Sequence, residues 1–497
     1  MTSYIFDLST VAWEVITPAL IVGAGSLVVL AVSLVPHERA ARLPAALSLL
    51  FVVVAIAVLL PLWPAGDAFC FGEALARDHL ATYLQIVVLV TTALTIFLSI
   101  GQLPAEGIAF KEYYALILLS TCGMMLLVSS NDLLMIFLGV ELAAIPTYIL
   151  AGMARGKLRS NEAALKYFLL GAFAAGFLLY GIALLYGGTG TTTLSEMAVL
   201  VPRGVVSDAF VWAGIALVVV GLGFKVALAP FHFWAPDVYE GAPTPVTAFI
   251  AAGPKAALYA PLIRIFLVAF PVLHDKWAAM LWVVAVLTMT VGNVVAIAQR
   301  DIKRMLAYSS IAHAGYILVG IIAGGEAGIR AIVFYVVVYV LATLGAFATV
   351  IALSRGEGPS SRGGAVEIGD YGGLGFKRPL LGIAMTLFMI SLAGIPPAAG
   401  FLGKFYLFSA AVKAGFVGLA VIGVLNSVVS VYYYLRIVVI MYMGEATEAE
   451  HPARPGLEWV SAALAITAIA TLWLGVYPSF VLSSATRALP QLFTLGM

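Results

Sequence analysis

Apolar runs of about 20 residues, each long enough to cross a bilayer core as a helix, recur from one end of this chain to the other. Backbone groups in lipid must be satisfied within the segment or around a closed barrel. The runs are too long for barrel strands, so helices are expected throughout. Composition agrees: of 497 residues, 63% are hydrophobic and 10% charged. Soluble domains carry about 25% charged residues. The chain therefore reads as an all-α polytopic membrane protein. Fourteen spans are expected, at about 13–35, 44–64, 80–100, 113–130, 132–152, 163–187, 209–240, 246–270, 277–299, 303–323, 329–353, 379–414, 416–443 and 457–484.

The net charge is +1, which implies no nucleic-acid or acidic partner. Of two cysteines, Cys70 falls in an expected loop and Cys122 in an apolar helix, so neither a disulfide nor a metal cluster is expected. The start, MTSYIFDLST, lacks the basic region of a cleaved signal peptide. Lys and Arg concentrate in odd-numbered connections, including Arg39, Arg42, Lys111, Arg155, Lys157, Arg159, Arg300, Lys303, Arg304, Lys377 and Arg378. That side should be cytoplasmic. Both termini should then face the opposite side, the periplasm in a bacterium. The longest loop, about 354–379, is rich in Gly and Arg and reads as mobile. The loop at 444–457 carries Glu445, Glu448, Glu450 and His451, a solvated acidic face.

Two spans read as broken. Gly223–Pro245 contains Lys225, then Pro230 and Pro236; Ser391–Lys404 contains Pro396 and Pro397 among Gly394, Gly400 and Gly403. Proline removes a helix donor and clashes with the preceding turn. The breaks fall in spans seven and twelve. Five spans is an odd number, so two five-helix units related by that offset have opposite topology, the pattern of inverted-repeat transporters. The expected organisation is three N-terminal helices over 1–110, one repeat over 111–272, a second, inverted repeat over 273–444, and a C-terminal loop and helix over 445–497.

Ionisable residues sit deep in several spans. With Asn131 or Asp132 as helix cap, Glu141 lies about 14 Å into its span, and Lys255 is as deep in the eighth. Lys225 is near the middle of the broken seventh span, Lys404 follows the second break, and His313 lies inside the tenth. Lys166 and Lys413 could snorkel. His232, Arg264, Arg436 and Asp132 read as structural, and Tyr432, Tyr433 and Tyr434 as packing or interfacial residues. An acid, three deep lysines and a histidine together point to charge movement through the membrane. Burial disfavours a charged ammonium, and a neighbouring carboxylate opposes that. A lysine beside Glu141 would keep its proton while paired and lose it on separation. A row of such groups, linked by hydroxyls and water, needs no metal or cofactor to pass protons.

At these residues the chain resembles the antiporter-like membrane subunits of respiratory complex I. The resemblance covers about Glu112–Met443. It is carried by FKVALAPFHFWAPDVYEGAPTP (224–245), DIKRMLAYSSIAHAGYILVG (301–320) and GIPPAAGFLGKF (394–405). Lys404 differs from one sister subunit of that set, where glutamate is expected. The long lateral helix of another is not expected here, since the sequence ends after the fourteenth span. The resemblance implies fourteen transmembrane helices in two inverted five-helix repeats. It implies an acid/lysine pair at Glu141 and Lys225, a central lysine at Lys255 and an exit-side lysine at Lys404. His313 would stand in the second repeat as counterpart to Glu141.

The implied activity is proton translocation by a non-redox subunit of NADH:quinone oxidoreductase. No cofactor is implied in this subunit; flavin and iron–sulfur clusters are implied in partner subunits. The implied partners are the other membrane-arm subunits and the bilayer. Quinone and NADH would be handled by the assembled complex. The alternatives are a subunit of a multi-subunit sodium/proton antiporter, which shares this fold, and a non-transporting scaffold.

Overall fold

The computed structural model describes residues 11–34, 42–63, 65–108, 110–204, 207–354, 367–445 and 456–487. Residues 355–366 of the loop at 354–379, and Glu448, Glu450 and His451, lie outside the described residues. The helices are α1 (Trp13–Ser33), α2 (Leu43–Leu62), α3 (His79–Ala105), α4 (Tyr113–Ser129), α5 (Leu133–Ala151), α6 (Leu158–Thr189), α7 (Leu194–Leu200), α8 (Asp208–Val226), α9 (Trp234–Gly241) and α10 (Thr244–Ile263). They continue as α11 (His274–Ile297), α12 (Ile302–Ala323), α13 (Gly325–Leu353), α14 (Leu374–Lys377), α15 (Pro379–Ala393), α16 (Ala399–Lys413), α17 (Val417–Met443), α18 (Leu457–Val476) and α19 (Ser479–Arg487).

Among the described residues, twelve helices are long and apolar enough to cross a membrane, and α4 and α15 are shorter apolar helices. Counting α4 as a span and joining α15 to α16 gives the fourteen expected crossings. The last span is shorter than its apolar run predicts. Pro478 disfavours a helical residue before it, and Tyr477 sits at φ −131°, ψ 73°, so α18 stops at Val476. A hairpin of β1 (Ala68–Cys70) and β2 (Leu75–Arg77) precedes α3, pairing Ala68 with Arg77. Strands of three residues leave no alternation to read in the sequence. Cys70 ends β1, and both cysteines are free and buried.

The two sets of five spans pack in the same order. α4 lies on α5, α5 on α6, α6 on α8, and α10 closes back on α4. Likewise α11 lies on α12, α12 on α13, α13 on α15, and α17 closes back on α11. Small residues permit the tight crossings. A Cβ on Gly139 would lie 2.8 Å from Leu127 Cα of α4, and one on Gly292 would lie 2.6 Å from Ala312 N of α12.

Both breaks are built alike. α8 ends in Ala227 at φ 63°, with Leu228 N donating to Gly223 O (2.8 Å) and Ala227 N to Phe224 O (3.0 Å). α15 ends in Gly394 at φ 83°, with Ile395 N donating to Ile390 O (3.1 Å) and Gly394 N to Ser391 O (3.0 Å). Each is a Schellman end that satisfies the last carbonyls. A proline follows each left-handed residue at the same spacing, Pro230 and Pro397, and both of these X–Pro bonds are cis. The core is densest in α10, α12 and α13, which are almost wholly enclosed by other helices.

Candidate proton-transfer site

Asp132 caps α5 by accepting from Leu134 N (2.8 Å) and Met135 N (3.1 Å), as the sequence predicts. This fixes the start of the helix that carries Glu141. Lys225 lies in the last turn of α8, just before the break. Its Nζ is 3.2 Å from Glu141 Oε1 and donates to Tyr148 Oη at 2.7 Å. The Lys225 side chain is 5% exposed and Glu141 20%, so the acid faces the edge of the helix bundle and the lysine its interior. Tyr148 is seven residues beyond Glu141 on α5, about two helical turns, and so shares its face. Its ring meets Tyr167 edge-on, and Tyr167 stacks on Trp234 at 4.4 Å and 6°. Trp234 Nε1 donates to Phe224 O at 2.7 Å, pinning the ring beside the residue preceding Lys225.

Lys255 is buried in α10 and its Nζ donates to Ser310 Oγ at 2.5 Å. Tyr239 of α9 completes this group: its Oη is 3.2 Å from Ser310 Oγ, and its ring lies under the ammonium at 5.7 Å. Ser310 precedes His313 by three residues, one turn of α12. Both His313 nitrogens meet tyrosine hydroxyls: Nδ1 lies 2.6 Å from Tyr335 Oη and Nε2 3.0 Å from Tyr434 Oη. A hydroxyl both donates and accepts, so this pairing suits either imidazole tautomer. Tyr434 also bonds Ser309.

Lys404, in α16, reaches back across the second break. Its Nζ donates to Ala393 O and Ser427 Oγ, each at 2.9 Å, and lies 4.8 Å above the Tyr316 ring. It borders an apolar cleft of about 780 Å³ between α16 and α17. Among the described residues, Lys225 is the one of these three lysines that forms an ion pair.

The structure thus brings Glu141 and Lys225 into contact, and gives Lys255, His313 and Lys404 each its own hydroxyl-bearing neighbours: Ser310, Tyr335 with Tyr434, and Ser427. Sequence reasoning missed Tyr148, Tyr239, Ser310, Tyr335 and Ser427. The helical spacings Glu141/Tyr148 and Ser310/His313 were available signals; Ser427 had none. Tyr434 was read as packing, but its hydroxyl sits on His313. Tyr432 is exposed at the surface, and Tyr433 donates to Asn293 Oδ1 at 2.9 Å.

Several deep charges are structural. Arg264 pairs with Asp78 at 2.7 Å, both side chains 1% exposed. Arg436 donates to Ile297 O (3.2 Å) and Gln299 O (3.3 Å), closing the end of α11. Lys166 pairs with Asp237 at 2.7 Å, and His232 is buried against Phe233. Lys413 is exposed at the end of α16.

Residues 130–430 match the family described as NADH:quinone oxidoreductase/Mrp antiporter, TM. A protein named NADH-quinone oxidoreductase subunit N from Trichlorobacter lovleyi is 46% identical over 486 residues, 96% of this chain and 97% of that one. A chain of respiratory complex I from Thermus thermophilus superposes with TM-score 0.78 at 37% identity, covering 94% of this chain and 98% of that one. A chain of the Mrp complex from Dietzia superposes with TM-score 0.83 at 24% identity, covering 96% and 97%, a likeness of fold. The chain belongs to the NADH:quinone oxidoreductase/Mrp antiporter membrane family, and within it groups with the relatives named NADH-quinone oxidoreductase subunit N.

Proposed function

We propose that this chain is a proton-translocating membrane subunit of an NADH–quinone oxidoreductase, moving protons through Glu141, Lys225, Lys255, His313 and Lys404 while redox chemistry proceeds in other subunits. The observation that carries this reading is the Glu141–Lys225 contact at 3.2 Å, with Lys225 almost fully enclosed. A buried ammonium keeps its proton while the carboxylate stands beside it and is disfavoured once the two part. Tyr148 gives the released proton a hydroxyl to leave by. Lys255 and Lys404 each have a serine hydroxyl at hydrogen-bond distance, and His313 has two tyrosines. The breaks beside Lys225 and Lys404 place non-helical backbone where such groups need polar surroundings.

On this reading residues 111–272 and 273–444 are two related transport units, alike in packing order and in how their breaks are built. The basic, odd-numbered connections face the cytoplasm, and the chain resides in a bacterial cell membrane among the other membrane-arm subunits. The complex I relatives support that assembly. The likeness to the Mrp chain is one of fold, so sodium/proton antiport is the weaker reading.

Glu141→Gln and Lys225→Ala test the proposal in native membranes. Both should abolish most NADH-driven proton pumping and slow quinone reduction while the complex still assembles. Normal turnover and normal pumping in an assembled complex would overturn it. Sodium dependence of transport, without NADH dependence, would favour the antiporter.

A further inference from the structure

α9 is eight residues long, with non-helical links on both sides, and the covalent chain alone gives it little to hold its place. Yet it touches both lysine sites of the first unit. Trp234, at its start, stacks on Tyr167 and thereby backs Tyr148, the partner of Lys225. Tyr239, near its end, shares Ser310 with Lys255.

Two carboxylates one turn apart on α9 are each gripped from two sides. Asp237 places Oδ2 2.7 Å from Lys166 Nζ of α6 and Oδ1 2.6 Å from Arg304 Nη1 of α12. Glu240 places Oε1 2.9 Å from Arg159 Nη1 of α6 and Oε2 2.9 Å from Arg304 Nη1. Glu162 adds a contact to Lys166 at 2.6 Å. Three cations thus face three carboxylates. Among the described residues Arg304 is the one cation bonded to both α9 acids, and it is 30% exposed. Isolated surface pairs contribute little, but a shared network with directed geometry is a different case. Packing adds to it: a Cβ on Gly241 would meet Ala163 Cβ at 2.7 Å, so α9 sits directly on α6. Lys303, beside Arg304, donates to Ala242 O at 2.7 Å and holds the residue after α9.

We propose that Arg304, with Asp237 and Glu240, is a positioning clamp that fixes α9 between α6 and α12. It keeps Tyr239 on Ser310 and Trp234 behind Tyr167, and so ties both lysine sites of the first unit, at Lys225 and Lys255, to α12 of the second. Arg304 acts through α9 and takes no part in proton transfer itself. The inference rests on the proton-path reading above.

The test uses the assembled complex in native membranes, with pumping measured per complex and per NADH oxidised. Arg304→Gln should lower pumping by about tenfold or more, since a misplacement of reacting groups by about 1 Å can cost about 100-fold. Arg304→Lys should restore most of it, because a single nitrogen, Nη1, makes both contacts and an ammonium can reproduce them. Glu240→Gln removes one arm and should cost less. A double-mutant cycle of Glu240→Gln with Tyr239→Phe isolates the route. If the clamp acts through Tyr239, the double variant should pump no worse than Tyr239→Phe alone. Additive losses in this cycle, and in the matching cycle of Glu240→Gln with Trp234→Phe, would overturn the proposal even if Arg304→Gln fails to assemble. So would normal pumping in an assembled Arg304→Gln complex. Lys225→Ala in the same membranes separates the two readings: if it also pumps normally the proton path fails, and if Arg304→Gln alone pumps normally the clamp fails.

Discussion

Lys225 has two partners of opposite kind, and the difference decides what each residue does. Glu141 carries the compensating charge at 3.2 Å, whereas Tyr148 offers a neutral hydroxyl at the shorter 2.7 Å and a ring face at 5.2 Å. Tyr148→Phe removes the hydroxyl and leaves the ring. A hydrogen bond to a charged group contributes about 1.5–3 kcal/mol. Lost in the step that moves the proton, the lower figure is roughly tenfold in rate. The initial rate of NADH-driven acidification in inverted vesicles should fall by about that factor, with assembly unchanged. Glu141 and Lys225 were legible as deep charges because burial cost singles them out in apolar runs, and their pairing was implied by the family resemblance. Their companions were not, because tyrosine and serine are ordinary residues in a membrane helix. Tyr434 shows the limit: its position relative to His313 depends on how α17 packs behind α12, a contact between residues 121 apart that no local pattern encodes.

At the scale of elements, the breaks were legible from proline, and their likeness was not. Ala227 and Gly394 occupy the same left-handed position, one with a Cβ and one without. A left-handed conformation costs an L-residue about 1–2 kcal/mol. Ala227→Gly should therefore be neutral or stabilising. Gly394→Ala should destabilise by more than that conformational cost, since a Cβ there would lie 2.7 Å from Lys404 Cδ and push the lysine from Ala393 O. Thermal inactivation of the purified complex checks both substitutions. Gly394→Ala should also slow pumping, while Ala227→Gly should not. The opposite pattern would mean that the two ends are not built to the same plan. α9 illustrates what propensity leaves open. Its sequence, WAPDVYEG, reads only as the far part of the broken span 209–240, but its place is set by Arg304 and Lys166, which are 138 residues apart in the chain and hold it from two sides.

Across the whole molecule, the first three helices carry little of the family pattern, yet α3 packs against α10, α13 and α18, so it touches both five-helix sets and the last span. Asp78 and Arg264 secure that junction. Asp78 Oδ1 caps α3 by accepting from Ala81 N at 2.7 Å, while Oδ2 meets Arg264 Nη2 at the end of α10. Both side chains are fully enclosed, where an unpaired charge is costly. Arg264→Met should therefore destabilise strongly, by about 3–5 kcal/mol, because it strands the Asp78 carboxylate. Adding Asp78→Asn should recover most of this loss, since asparagine still caps a helix and carries no charge. The measurement is the thermal stability of the assembled complex for both single variants and the double. If the double is as unstable as Arg264→Met alone, the pair holds the molecule through shape and hydrogen bonding rather than charge. If recovery is seen and pumping remains normal, the junction fixes how α3 meets α10 without entering the proton path. α10 also carries Lys255, nine residues before Arg264, so a shift of α10 along its axis would show as lost pumping before lost stability.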